Sequence, residues 1–119
     1  MLDSGASFDV IRRRGLTPAE ISTEREAYNC TPLRTAAGQL QASRVVTSQV
    51  TSLSERITPY VLDDAPNLLS VGYRCRWEGY KFVWEPHSVC PCLYLPTGTA
   101  VRLMSVGNVP ILARTDCRE

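Results

Sequence analysis

Apolar and polar residues alternate most regularly in the stretch "LRTAAGQLQASRVVTSQVTSL" (33–53), which is rich in Val, Thr and Ser. A period of two marks strands with one buried face, and Gly38 sits where a hairpin turns, so two antiparallel strands are expected around Ala36-Ala37-Gly38-Gln39. "ITPYVL" (57–62) reads as another strand, with Pro59 removing a donor and favouring an edge or bulged position. "DDAPN" (63–67) breaks it, and "LLSVG" (68–72) is an apolar run ending at glycine. "YRCRWE" (73–78) fits a brief helical turn before the strand "GYKFVW" (79–84). In "CLYLPTGTAVRLMSVGNVPIL" (92–112), turn signals at Pro96-Thr97-Gly98 and Gly107-Asn108 separate three short strands. Upstream, Thr17-Pro18-Ala19-Glu20 offers a capping hydroxyl, a proline at the first helical position and a glutamate three residues after the cap. A helix is expected from there to about Ala27. These elements describe a mostly β domain with one or two short helices.

Composition narrows the function classes. The chain has 119 residues, enough for one domain with a modest core, and neither repeats nor a flexible linker divide it. With 13 Lys plus Arg against 12 Asp plus Glu, the net charge of +1 supplies no long-range field toward nucleic acid or an acidic membrane. Lys81 is the only lysine. No apolar stretch is long enough to span a bilayer, and the N-terminal residues lack the order of a signal peptide, so an intracellular, cytoplasmic setting is expected. Five cysteines (Cys30, Cys75, Cys90, Cys92 and Cys117) are an odd number without a disulfide-framework spacing, which suits reduced thiols.

The chemistry sits at the start, in "MLDSGAS" (1–7). Two carboxylates close enough to share a proton have their titrations driven apart, so that one acts as a base on water while the other donates. A small hydroxyl residue and a glycine after the Asp let backbone N–H groups turn toward the carboxylate and leave space for a substrate. Asp3-Ser4-Gly5-Ala6 has this composition.

This stretch resembles the active-site loop of retropepsin-like aspartic proteases. Asn67-Leu68-Leu69-Ser70-Val71-Gly72 is similar to the two-apolar-plus-glycine element that packs beneath that loop. The wording is closest to the protease domains of copia-type retrotransposon polyproteins, in which a Thr-Ala-x-Gly hairpin, here Thr35-Ala36-Ala37-Gly38, lies between the two. The resemblance extends loosely through "EGYKFVW" to "GNVPIL", so it covers nearly the whole chain. It implies an all-β fold, a mainly antiparallel closed barrel of the acid protease type, over a single domain 1–119. It implies a homodimeric aspartic endopeptidase that needs no cofactor and no metal, hydrolyses polypeptide substrates such as polyprotein cleavage sites, and contacts neither nucleic acid nor membrane.

Under the same resemblance Asp3 is the catalytic residue, Ser4 braces the paired loops, Gly5 and Ala6 line the cleft floor, and Ala36, Ala37 and Gly38 form a flap. Leu69, Ser70, Val71 and Gly72 support the loop. No second Asp-Ser/Thr-Gly occurs; Asp63-Asp64 is followed by Ala-Pro and reads as a solvated turn, so the second carboxylate must come from a partner chain. Only Met1 and Leu2 precede Asp3, so the apolar strand that enters this loop in the family is expected to be missing or supplied from elsewhere. The alternative reading is a catalytically silent dimerisation or peptide-binding domain of the same type, or a decayed mobile-element fragment.

Other clusters are weaker signals. His87, Cys90, Cys92 and Cys75 include potential zinc ligands, but Cys-Pro-Cys has one intervening residue where zinc sites prefer two or more; a loop of reduced thiols is favoured over a zinc-stabilised module. Arg12-Arg13-Arg14 reads as a solvated turn. Trp77, Tyr80, Phe82 and Trp84 read as sheet-face packing rather than a base-stacking platform.

Overall fold

The computed structural model describes residues 1–35 and 38–112. Its strands are β1 (Leu2–Asp3), β2 (Val10–Arg12), β3 (Arg25–Thr35), β4 (Gly38–Val45), β5 (Ser48–Val50), β6 (Glu55–Ile57), β7 (Tyr60–Leu62), β8 (Leu69–Ser70), β9 (Lys81–Val83), β10 (Cys92–Tyr94), β11 (Ala100–Val106) and β12 (Val109–Leu112). Two short α-helices, α1 (Pro18–Ile21) and α2 (Val71–Trp77), and two single 3-10 turns (Arg13–Gly15 and Thr51–Leu53) complete the regular structure, so the described chain is mostly β as its alternating pattern predicts.

Among the described residues the strands form four sheets, ordered β1-β8, β12-β11-β10-β9, β2-β7-β4-β3 and β5-β6. They do not close into the barrel expected from the resemblance. Closure needs strands that share tilt and register around a full circuit, whereas here most are two or three residues long and the "ITPYVL" strand is split. Pro59 lies between β6 and β7, which belong to different sheets, and the expected edge or bulge is instead a break. Pairing is mainly antiparallel, with two parallel exceptions, β1 with β8 and β2 with β7. Both exceptions bring the N-terminal segment against residues far along the chain, Leu2 against Leu69 and Val10 against Tyr60, a placement that local pattern does not encode.

The β3–β4 hairpin follows the sequence expectation, with Thr35 opposite Gly38 and Leu33 opposite Leu40. Its register shifts between Glu26 and Thr31, the mark of a bulge. The β11–β12 turn uses Gly107 and Asn108 at φ of 57° and 68°, the left-handed pair that matches strand twist in a two-residue hairpin.

Helix α1 has the anticipated capping box, in which Glu20 N–H donates to Thr17 Oγ1 (3.1 Å) and Thr17 N–H donates to Glu20 Oε1 (2.8 Å). It nevertheless stops at Ile21 rather than near Ala27. Ser22 and Thr23 turn their hydroxyls onto the carbonyls of Ala19 and Glu20, and Thr23 Oγ1 also accepts from Thr47 N–H at 2.8 Å. Side-chain competition for backbone groups weakens a helix, and Arg25 and Glu26 are already paired with Val45 and Arg44.

Two apolar clusters hold the fold. One gathers Leu2, Leu53, Val71, Tyr80, Leu93 and Leu103; the other gathers Val10, Ala42, Leu62 and Ala65. Leu2 and Val71 share the first, so the residue before Asp3 and the first residue of α2 are fixed by the same burial. Fully burying a side chain of this size contributes about 1.5–3 kcal/mol. Among the described residues no helix is long and apolar enough to cross a membrane.

Candidate active site

The site is built on the parallel pair β1–β8, with Leu2 opposite Leu69 and Asp3 opposite Ser70. Leu69 N–H donates to Met1 C=O at 2.8 Å, which fixes that register. The chain then turns: Gly5 N–H donates to Asp3 Oδ1 at 2.8 Å, and Ala6 N–H reaches Asp3 C=O at 3.3 Å. A Cβ on Gly5 would stand 3.3 Å from Asp3 Oδ1, so a larger residue here would press on the carboxylate and make it shift slightly. Ser4 and Gly5 are exposed, and Asp3 and Ala6 are half-buried, which leaves the Asp3 loop open to a solute on one side.

Ser70 is the fully buried hinge beneath this loop. Its Oγ donates to Ala6 C=O at 2.6 Å and accepts from Tyr73 N–H at 3.1 Å, capping α2 while holding the far end of the loop. Leu69 and Val71 pack into the core cluster around Leu2. Gly72, expected in the same supporting role, lies exposed in the first turn of α2, with nothing within 4 Å of where its Cβ would be. The structure therefore brings Asp3, Gly5, Ala6, Leu69, Ser70 and Val71 together and leaves Gly72 at the surface. Of the expected flap, Gly38 begins β4, while Ala36 and Ala37 lie outside the described residues.

A second set of charged residues, absent from the sequence reading, locks the loop's far end. Arg74, with a side chain 1% exposed, donates to Asp9 through Nη1 (2.7 Å) and Nη2 (2.9 Å), and through Nη1 to Ser70 C=O (3.1 Å). Asp9 Oδ1 also accepts from Ser70 N–H at 2.8 Å. Glu55 Oε1 stands 3.6 Å from Arg74 Nε, which is buried without a hydrogen-bond partner, and accepts from Tyr80 Oη at 2.7 Å. Burial opposes the charge of Arg74, but bonding to Asp9 and the charges of Asp9 and Glu55 outweigh it and hold the guanidinium above its ordinary value. Burial and the bond to Glu55 push the Tyr80 phenol far above its ordinary value, so it stays a donor. The basic run Tyr73-Arg74-Cys75-Arg76 was the available signal, but nothing in it marks Arg74 as the inward residue.

Glu78 closes this array. Partial burial, then a shared hydrogen bond with Glu55, raise its carboxyl above 4.5. Protonation is easier in the folded chain than in the unfolded one, so the stability it contributes is complete below the unfolded value and is lost as pH rises through the raised one. Glu78→Gln keeps a neutral group there. It is expected to unfold at a higher temperature than the parent at pH 7, with the difference vanishing toward pH 4. Solvent screening at this exposed position keeps the gain below about 1 kcal/mol. A gap that widened toward pH 4 would contradict the assignment.

An open cavity of ≈ 560 Å³ lies between the Ser7–Asp9 segment, which follows the Asp3 turn in the chain, β3 and β6. Elsewhere, Asp63 bonds Arg13 Nε at 3.0 Å on the surface, as a solvated turn should, and Arg13 also pairs with Glu24. Cys75, Cys90 and Cys92 are free thiols, and His87 is exposed at a φ of 65°. Among the described residues no three His, Cys, Asp or Glu side chains converge as a metal site; Cys117 lies outside them. Tyr80 is a core residue and Phe82 packs against the same core, edge-on to Trp84 (6.4 Å between rings), whereas Trp77 is exposed with Arg76 over its ring at 4.9 Å. Compared with known proteins, the chain matches no protein-family model and no curated protein.

Proposed function

We propose that the chain is one half of a retropepsin-type aspartic endopeptidase, of the kind encoded in retrotransposon polyproteins, active as a symmetric homodimer. The observation that carries this reading is the Asp3 carboxylate, held by Gly5 N–H at 2.8 Å in a loop whose other end is bonded to Ser70 of the "NLLSVG" segment. Two sequence motifs more than sixty residues apart are thereby in direct contact, which supports the reading. One chain supplies one such Asp, and a two-fold interface is the commonest way to juxtapose two copies.

In the dimer one Asp3 carboxylate takes a proton from water as the water oxygen adds to the scissile carbonyl carbon. The partner's protonated Asp3 gives its proton to the carbonyl oxygen. Collapse of the resulting diol breaks the C–N bond, with a proton passing to the leaving nitrogen. No metal or organic cofactor enters these steps. Like charges held this close cannot both ionise, so the pair works with one shared proton and loses activity as pH rises.

The test is cleavage of a peptide library across pH together with sedimentation of the same protein. Cleavage that rises below neutrality, is blocked by a statine-type transition-state mimic and appears with the dimer is the expected result. A well-folded dimer that cuts nothing at any pH would overturn it in favour of a catalytically silent peptide-binding or dimerisation domain.

A further inference from the structure

The cavity behind the Ser7–Asp9 segment has an uneven electrostatic lining. Its apolar wall includes Phe8 and Tyr60, packed edge to face with 5.6 Å between ring centroids, together with Val45 and Ile57. Its charged groups differ in how far they are already engaged. Asp9 is bonded twice by Arg74, and Glu26 lies 4.0 Å from Arg44. Arg25 is tied through Nη1 to Thr23 C=O (2.9 Å) and Thr47 Oγ1 (3.2 Å). Arg56, on β6, is exposed and lines the cavity, and among the described residues no carboxylate lies within ion-pair distance of it. The remaining carboxyl, Glu78, also lines the cavity, and among the described residues it makes no ion pair with this guanidinium.

We propose that this cavity selects peptides carrying an acidic side chain next to a large apolar one, with Arg56 as the counter-charge for the acid and the Phe8–Tyr60 pair as the apolar seat. Guanidinium–carboxylate bonding is charge-assisted and geometrically specific, and a partly apolar surround strengthens it relative to open water. Arg56 is therefore a specificity-determining residue. The proposal rests on the peptidase reading for its peptide ligand, and its test is separable from it because binding is measured without cleavage.

The probes are three otherwise identical Phe-containing peptides with Glu, Gln or Lys beside the Phe and a reduced, uncleavable bond. Their affinities are compared at pH 7 by fluorescence anisotropy. The parent is expected to hold the Glu peptide about tenfold more tightly than the Lys peptide. Arg56→Gln should erase the preference, and Arg56→Glu should reverse it. Equal affinities in the parent, a preference unchanged in Arg56→Glu, or no binding of any peptide would each overturn the assignment. Charge preference without cleavage of the natural-bond peptides counts against the peptidase alone, whereas cleavage without charge preference counts against this site alone.

Discussion

Asp3→Asn is expected to lower peptide cleavage by about a hundredfold to ten-thousandfold or more, the range for losing an acid–base group from a transition state, while leaving the fold intact. The substitution keeps the shape of the side chain and the Oδ1 acceptor, so the bond from Gly5 N–H survives (2.8 Å in the parent). What is lost, under the proposed peptidase mechanism, is the group that takes a proton from water in one half of the catalytic cycle and holds the shared proton in the other. In a homodimer both copies lose it together, so no intact half-site remains. The thermal midpoint of the variant should stay close to that of the parent, because Asp3 is only half-buried and its carboxylate has no ion-pair partner among the described residues. Cleavage measured on parent and variant with one peptide, alongside their melting curves, decides the matter. Activity that survives the change would place the chemistry elsewhere.

The parts of this molecule that could be read from the sequence are those whose cause is local. The β3–β4 hairpin announces itself by alternation and Gly38, the last two strands by Gly107-Asn108, and α1 by its capping box; each rests on backbone preferences within a few residues. The length of α1 was not legible, since Thr23 spends its hydroxyl on Thr47 across twenty-four positions. The Asp3 loop was legible as a motif, and its contact with Ser70 followed from the order of two motifs rather than from either alone. Failure to close a barrel was illegible for a related reason. It depends on whether β6 and β7 continue one another past Pro59, which pairing with different sheets decides. Least visible was Arg74. An arginine in a short helix is ordinarily solvated, and its burial becomes intelligible only once Asp9, sixty-five residues earlier, is seen bonded to both of its terminal nitrogens.

Arg74 is accordingly the residue whose loss should cost the fold most. Arg74→Met removes the cation while leaving a flexible apolar side chain, and it strands Asp9 and Glu55 as neighbouring carboxylates in a largely dry site. Breaking a buried ion pair from one side costs about 3–5 kcal/mol, because the abandoned charge keeps its desolvation penalty and loses its partner. Against a usual domain stability of about 5–15 kcal/mol, that is enough to leave a small domain barely folded. The damage should propagate to function, since Asp9 and Ser70 are bonded to each other and Ser70 holds the Asp3 loop through Ala6. Arg74→Lys is expected to fall between parent and Arg74→Met, as one ammonium cannot reproduce the paired bonds to Asp9. Adding Asp9→Asn to Arg74→Met separates the electrostatic cause from simple loss of packing. The amide retains an acceptor for Ser70 N–H but carries no charge, so the double variant should be more stable than Arg74→Met alone. Urea denaturation of these four proteins and of Asp9→Asn alone, at pH 7, measures this coupling directly. If Arg74→Met loses less than about 1 kcal/mol, or if Asp9→Asn adds to the loss instead of relieving it, the ion pair is not what secures the loop.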